Sequence, residues 1–259
     1  MEATEKLLAE DVARKTLDDL WKKKIYHYAF LLLSYSTLEV KSYRKVFHNL
    51  QKVKDILQRN SAPARPSYFL IAETFSTEPW MNHGFNNIRE RMHVHGAVVY
   101  GHLIEDDRGT GQILPPSFWN WTSIEAVQVY KYNLDTAHQA LSQLPYKKLA
   151  YTQFFLSVSL GGRYYTPTKG ERHEILAKNG YLTKDPMLID IGKVCKDKDW
   201  VAGYREESPM GGYYDNSKID RVVTYDDQKS FRAKLCKGKK QIVKEKYGIA
   251  AYDADMDDP

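Results

Sequence analysis

Apolar residues follow two kinds of pattern in the first part of the chain. In residues 1–24, and again in 40–57, they recur at helical spacing, which predicts amphipathic helices. In 25–33, 68–73 and 93–100 they form nearly continuous runs, which predict buried β-strands. The order of strand, helix, strand and strand predicts an α+β fold, in which helices pack on a central antiparallel β-sheet.

The pattern is less regular further along the chain. Residues 125–130 and 187–191 predict additional strands, which bring the sheet to about five strands. Residues 134–151 predict a helix, and 171–180 predict a short helix that is closed by Asn179-Gly180. The sheet and its helices would together form the main domain.

Composition divides the chain into three parts. Residues 1–24 predict a helical extension, and 25–200 predict the main domain. Residues 201–259 predict a basic extension that ends in an acidic tail. We therefore expect domain boundaries near residues 24 and 200.

Composition also limits the class of protein. Of the 259 residues, 42% are hydrophobic and 13% are aromatic, which is enough for a core and excludes wholesale disorder. The longest apolar stretch, Ala29 to Leu33, is far shorter than the about 20 residues that cross a bilayer, and no secretory signal is evident at the N-terminus. Two cysteines, Cys195 and Cys236, are too few for a disulfide framework and predict a reducing, intracellular compartment. The net charge of +5 permits a polyanionic partner without requiring one.

The most informative chemical signal is a pair of histidines at the start of the third predicted strand. His93 and His95 are two residues apart, so in an extended strand both imidazoles project to one face. Imidazoles with a nearby carboxylate suit Mn²⁺ or, with more reluctance, Mg²⁺. Glu73 ends the preceding strand and would complete the ligand set if the two strands paired in antiparallel fashion. The alternative is that both imidazoles are exposed on a sheet face and bind nothing, whereas His102 is predicted to be a core or edge residue.

A tyrosine and a lysine form a second candidate motif. Tyr181 and Lys184 are spaced so that they share one face of a helix. A phenol has a pKa near about 10 and is a poor nucleophile unless a cation lies close, so Lys184 would favour the phenolate. The chain holds 19 tyrosines, and the spacing therefore also arises by chance.

Taken in order, these motifs resemble those of the HUH endonucleases, and especially the Rep nuclease domains of small circular single-stranded DNA viruses. The segment His93-Val94-His95-Gly96 matches the second motif of that family. Tyr181, Lys184 and Asp185 match the third motif, and Phe30 to Ser34 stand where the first would lie. The resemblance covers about residues 25–195 and implies a Rep-like nuclease fold.

The resemblance also implies an activity. A divalent metal ion, Mn²⁺ or Mg²⁺, would be held by His93, His95 and Glu73 and would polarise a scissile phosphate. Tyr181 would attack that phosphate, with Lys184 beside it, and form a 5′-phosphotyrosine intermediate. The expected function is a site-specific nuclease that nicks and rejoins single-stranded DNA, or a DNA hairpin, at a replication origin and so starts rolling-circle replication.

Two departures from the family pattern matter. The distance of 88 residues (181 − 93) between His93 and Tyr181 implies an insertion within 103–170 before the tyrosine helix. That insertion contains rival tyrosines, namely Tyr130, Tyr132, Tyr146 and Tyr165. No Gly-x-x-x-x-Gly-Lys-[Ser/Thr] motif occurs, so a separate helicase and a polymerase would be needed, in the host cytoplasm or nucleus if the protein is viral.

Basic residues supply candidate DNA contacts. Arg89 and Arg91 flank the histidine strand and would hold phosphates, although solvated loop arginines are an equal alternative. Lys237, Lys239 and Lys240 would contact the DNA backbone from a C-terminal helix, or else form its solvated face.

Three other functions stay open at this point. A transposase or a mobilisation relaxase would use the same chemistry for a different purpose. A nucleic-acid-binding module would keep the fold without catalysis. A metal-dependent hydrolase unrelated to DNA would use His93, His95 and a carboxylate with water as the nucleophile.

Overall fold

The fold is that of a computed structural model of the chain. The structure describes residues 15, 19, 22–23, 28–32, 48, 51–52, 54–55, 69–73, 95–103, 111–119, 132–142, 152–180, 188–207, 210–241 and 246–256. For 28–32, 69–73 and 241 the description is of the backbone only. The strand predicted at 125–130 lies outside the described residues.

Twelve strands occur among the described residues. In chain order they are β1 (Tyr28–Leu32), β2 (Phe69–Glu73), β3 (Gly96–Val99), β4 (Gly111–Gln112), β5 (Gln153–Ser159), β6 (Gly162–Pro167), β7 (Lys178–Gly180), β8 (Leu188–Ile189), β9 (Val201–Arg205), β10 (Gly211–Asn216), β11 (Arg221–Tyr225) and β12 (Gly248–Tyr252). They form a five-stranded sheet in the order β1-β2-β3-β5-β12 and a second sheet built from the others.

The first sheet corrects the predicted antiparallel arrangement, because β1 pairs with β2, and β2 with β3, in parallel. The predicted strand positions are right for all three. Parallel strands require a crossover connection, and the described residues between 48 and 55, which are helical, belong to such a connection between β1 and β2. Continuous apolar runs are typical of parallel strands that are buried on both faces.

The second sheet is antiparallel and runs in the order β4-β7-β6-β11-β10-β9, with β8 paired to β6. The helix predicted at 171–180 is wrong, because this segment turns and then forms β7. Leu176 has a left-handed backbone conformation with φ of 78°, which a helix does not tolerate. Its backbone N–H donates to Ile113 O over 2.8 Å, so pairing with another segment replaces helical hydrogen bonds.

Three α-helices have bounds that the structure describes, namely α1 (Leu134–Ser142), α2 (Ile191–Lys196) and α3 (Gln228–Gln241). The start of α1 confirms the predicted position, and the Asn133 side chain caps it by accepting from Thr136 N over 2.9 Å. Asp227 caps α3 by accepting from Ser230 N over 2.7 Å. A short 3₁₀ helix, Ala254–Met256, follows β12. None of the helices in the described ranges is long and apolar enough to cross a membrane.

A buried ion pair fixes α3 against the segment 113–119. Lys234 is 3% exposed, and its ammonium donates to the Asp226 carboxylate and, over 2.7 Å, to Ser117 O. Asp226 Oδ2 also accepts from Ser117 N over 2.9 Å. The pair is therefore enclosed by hydrogen bonds on both sides, as a buried charge pair needs to be.

The chain divides into two compact units. The first comprises 1–99 and 144–155, and the second comprises 100–143 and 156–259. The domain boundaries expected near residues 24 and 200 stay a prediction.

Candidate functional site

The backbone register separates Glu73 from His95, two residues of the predicted metal site. In the parallel register Glu73 lies beside Val99, whereas Gly96, the residue after His95, lies beside Leu70. Val99 is four residues from His95, and a strand rises about 3.3 Å per residue, so the two positions are about 13 Å apart along the strand. The parallel pairing therefore places the backbone of residue 73 beside the opposite end of β3 from residue 95.

The surroundings of His95 also differ from those of a metal ligand. Burial, and then the nearby ammonium of Lys54, lower the pKa of His95. Lys54 is itself 4% exposed, and burial lowers its pKa. A neighbouring cation disfavours a bound cation as it disfavours a protonated imidazole. Among the described residues, no group of three His, Cys, Asp or Glu side chains is arranged to hold a metal ion.

Five of the predicted site residues lie outside the described residues, so their roles stay predictions. They are His93, Arg89, Arg91, Tyr181 and Lys184.

The three lysines predicted to contact DNA lie on α3. Lys237 Nζ is 5.1 Å from the centroid of the Trp119 ring, a cation–π arrangement. Lys239 and Lys240 are exposed in the last turn, where cations complement the helix dipole.

Two of the rival tyrosines are buried. Tyr165 is 4% exposed and donates from its hydroxyl to Leu114 O over 2.9 Å. Tyr132 is 2% exposed. Both serve the core of the second unit.

A cluster of polar and aromatic side chains lies where β3, β5 and β12 end. Tyr100 and His102 follow β3 directly, and Tyr252 is the last residue of β12. The rings of Tyr100 and His102 are 5.7 Å apart, and each contacts the ring of Tyr252, at 5.7 and 5.0 Å respectively. The Tyr132 ring packs against Tyr100 at 5.7 Å. We call this group the strand-end cluster. It comprises the rings of Tyr100, His102, Tyr132 and Tyr252 together with Ser157, Ser159 and Asp253.

Backbone shape brings the two residues after β3 into the cluster. A side chain at Gly101 would meet the Leu156 side chain at 2.6 Å and Ser157 O at 2.9 Å, so only glycine fits against β5 at this point. Gly101 N donates to Ser157 Oγ over 3.0 Å, and the same hydroxyl lies 2.7 Å from His102 Nδ1. A buried serine thus anchors the imidazole.

His102 is neutral at physiological pH. Burial, and then the positive charge of Arg163, lower its pKa to about 3. Arg163 is 1% exposed at the start of β6, so its charge acts through a medium of low polarity. Burial, and then the Tyr252 phenol, raise the pKa of Tyr100, which therefore stays protonated. Neither of the two groups that follow β3 changes charge near neutral pH.

The more accessible part of the cluster is formed by Tyr252 and Asp253, which are only partly buried. Ser159 Oγ donates to Asp253 Oδ2 over 2.6 Å. Ser157 and Ser159 are two residues apart on β5, so their side chains project to the same face. The Asp253 carboxylate and the His102 imidazole therefore lie along one face of β5, about 7 Å apart in the strand direction.

The strand-end cluster is not evident from the sequence motifs alone. The prediction that His102 is a core or edge residue is confirmed, because its exposed fraction is 3%, whereas Asp253 falls in the predicted acidic tail. A usable signal was present, because polar and aromatic residues directly follow the apolar runs that end at Val99 and at Ala251. In parallel β/α folds, ligand sites lie at the carboxyl ends of the strands. Because the sheet was expected to be antiparallel, this rule was not applied to the residues after Val99 and Ala251.

The sequence matches no protein-family model and no curated protein. Solved structures of chitinases have the same fold. A GH18 chitinase of the cycad Cycas revoluta, a double variant in complex with (GlcNAc)4, gives a TM-score of 0.67 at 15% identity, over 99% of this chain and 73% of that chain. A class V chitinase of Nicotiana tobaccum, a glutamate-to-glutamine variant in complex with NAG4, gives 0.64 at 14% identity, over 99% and 73%. A chitinase of Bacillus thuringiensis gives 0.64 at 14% identity, over 95% of this chain but only 42% of that chain.

The likeness to chitinases shows a TIM-barrel-like fold and overturns the resemblance to HUH endonucleases. The predicted Rep-like fold is therefore wrong. The expected DNA-nicking replication initiator, its divalent metal cofactor and its DNA, helicase and polymerase partners depended on that resemblance, and they are wrong with it. The motif His93-Val94-His95-Gly96 suggested an antiparallel nuclease sheet, whereas the strand that begins at Gly96 pairs with β2 in parallel.

Proposed function

We propose that this chain binds oligosaccharides of N-acetylglucosamine at the strand-end cluster and does not hydrolyse them efficiently. The observation that carries the proposal is the position of the cluster at the ends of β3, β5 and β12 in a fold shared with chitinases. The cycad and tobacco structures with this fold are complexes with such oligosaccharides. In TIM-barrel enzymes the ligand site lies at this end of the strands.

The chemistry of the cluster suits a neutral sugar. A pyranose ring presents a face of C–H groups and a rim of hydroxyl and amide groups. The partly exposed Tyr252 ring offers a flat apolar surface to the former, and Asp253 offers a hydrogen-bond acceptor to the latter. Tyr100 and His102 lie beneath as a rigid floor, since both are almost fully buried.

Hydrolysis is disfavoured by the residues that follow β3. Glycoside hydrolysis needs a proton donor, usually a carboxylic acid whose pKa has been raised toward neutrality. Here the chain reads Tyr100-Gly101-His102, with a phenol whose pKa is raised and an imidazole whose pKa is lowered to about 3. Both shifts move these groups away from the pH range in which an efficient acid catalyst operates.

Isothermal titration calorimetry with the hexamer of N-acetylglucosamine tests the binding. We expect saturable binding, weaker binding of a glucose hexamer, and a loss of about tenfold in affinity for Tyr252→Ala, which corresponds to about 1.4 kcal/mol. Tyr204→Ala is the matched control, because Tyr204 is a partly buried tyrosine of β9 outside the cluster. No binding of the hexamer by the wild type, or equal affinity of the wild type and Tyr252→Ala, would sink the proposal.

Mass spectrometry of the hexamer after prolonged incubation tests the second part. We expect no shortening of the oligosaccharide beyond a sample without protein. Accumulation of dimers or trimers with the wild-type chain, lost on heat denaturation, would contradict the absence of efficient hydrolysis.

A further inference from the structure

Asp253 has a backbone conformation that few residues other than glycine adopt. Its φ is +56°, in the left-handed region, directly after the last residue of β12. Aspartate tolerates this region better than most residues, yet glycine occupies it with no steric cost. A left-handed conformation at a residue other than glycine is therefore a reason to ask what its side chain does.

The carboxylate is held in one orientation by its neighbours. Ser159, which is fully buried, donates to Asp253 Oδ2 over 2.6 Å. A side chain at Gly161 would lie 3.2 Å from Asp253 Cβ and 3.3 Å from Met256 Cβ, so glycine at 161 leaves the room that Asp253 occupies. A hydrogen bond to an ionised carboxylate is stronger than one between neutral groups, so the buried serine hydroxyl restricts the orientation of the Asp253 carboxylate.

A purely local role for the side chain explains less. The turn after β12 is closed by the backbone, because Met256 N donates to Asp253 O over 3.0 Å. That bond forms with any residue at position 253. The carboxylate instead reaches toward β5, to the face on which Ser157 anchors His102.

We infer that Asp253 is a ligand-binding carboxylate of the strand-end cluster, which accepts a hydrogen bond from a hydroxyl or amide group of the bound sugar. This inference rests on the proposed function and names the residue that gives the site its polar selectivity. Ser159 acts as a positioning residue, because it donates to Oδ2 and so holds the carboxylate of the partly buried Asp253 beside β5. The anionic charge also makes the site unfavourable for sugars that carry a carboxylate or sulfate.

Titration calorimetry of the full chain with the N-acetylglucosamine hexamer tests the role of Asp253. Asp253→Asn keeps the size of the side chain and removes its charge, so we expect affinity to fall about tenfold or more, as for the loss of a charged hydrogen bond. Asp253→Gly keeps the turn, because glycine is at ease at this φ, and it should show a similar loss even if the asparagine variant folds poorly. Asp220→Asn is the matched control, since Asp220 also has a positive φ, of 59°, but lies in the turn between β10 and β11.

The outcomes separate the two proposals. Weaker binding by both Asp253 variants, with Asp220→Asn equal to the wild type, is the expected result. If the wild type binds, Tyr252→Ala weakens binding and both Asp253 variants bind like the wild type, the role of Asp253 is wrong and the proposed function stands. If the wild type itself shows no binding, the proposed function fails.

Discussion

At the scale of single residues, burial determines the charge states of His102 and Tyr100 in the strand-end cluster. His102 and Tyr100 are each at most 3% exposed, so burial shifts the pKa of both groups. The imidazole stays neutral because both burial and a buried guanidinium oppose its protonation. His102 and Tyr100 therefore keep their neutral forms near pH 7, which suits the neutral ligand that we propose for the cluster.

The neutral imidazole predicts a specific dependence of stability on pH. The folded pKa of about 3 is below the ordinary imidazole pKa of 6.5, so between these values the unfolded chain binds a proton that the folded chain does not. Stability is therefore lost as pH falls below about 6.5, and His102 alone should lower the free energy of unfolding by about 2 kcal/mol between pH 7 and pH 5. Urea unfolding at the two pH values measures this difference.

His102→Gln provides the comparison, since glutamine does not titrate. We expect the variant to lose less stability than the wild type over this pH interval, whatever its stability at pH 7. NMR of the imidazole nitrogens in the wild type gives an independent reading and should show a neutral ring at pH 5. A ring that is protonated there, or equal pH dependence of both proteins, would contradict this account.

At the scale of elements, the ion pair between Asp226 and Lys234 joins α3 to the segment that leads away from β4. Breaking a buried pair leaves one charge without compensation, so Lys234→Met should cost about 3–5 kcal/mol of stability. The double variant Asp226→Leu/Lys234→Met should cost less than the sum of the two single changes, because no charge is left buried. Chemical unfolding curves of the three variants measure these costs.

A surface pair is the matched control for this experiment. Lys218 donates to Asp199 over 2.5 Å, but their side chains are 71% and 49% exposed. Lys218→Met should leave the unfolding midpoint unchanged, since solvent screens exposed pairs. Equal effects of the Lys234 and Lys218 variants would show that burial does not determine the cost.

The elements also show how far sequence reasoning reaches. The runs at 25–33, 68–73 and 93–100 each gave a strand, because apolar continuity reports burial directly. The pairing direction was wrong, because it depends on where the connections run and not on the strands themselves. The segment at 171–180 became a turn and a strand, since hydrogen bonds to residues near 113 outweigh its local preference.

Of the predicted site residues, His93, Tyr181 and Lys184 lie outside the described residues, so their roles stay predictions. Two histidines at alternate positions fit several chemistries, and the choice among them depended on a carboxylate in an assumed register. The true register moved Glu73 along the strand by about four residues. The strand-end cluster brings together Tyr100 and Tyr252, which are 152 positions apart in the sequence (252 − 100). Only the fold determines that two such distant residues meet.

At the scale of the whole molecule, a TIM-barrel-like fold places polar and aromatic side chains at the ends of its strands. The second, antiparallel sheet is contributed by residues between Gly111 and Tyr225. The chain spans 42% of the bacterial chitinase and 73% of the two plant chitinases with which it shares the fold. The likeness shows the fold, and the ligand binding at the strand ends that we propose is tested separately.

The most direct measurement is a crystal structure of this chain with the tetramer of N-acetylglucosamine. We predict a sugar ring packed against Tyr252, with a hydroxyl or amide group within about 3.2 Å of the Asp253 carboxylate and the oligosaccharide intact. Density for the sugar only at another surface, with the strand-end cluster empty at saturating ligand, would contradict the account.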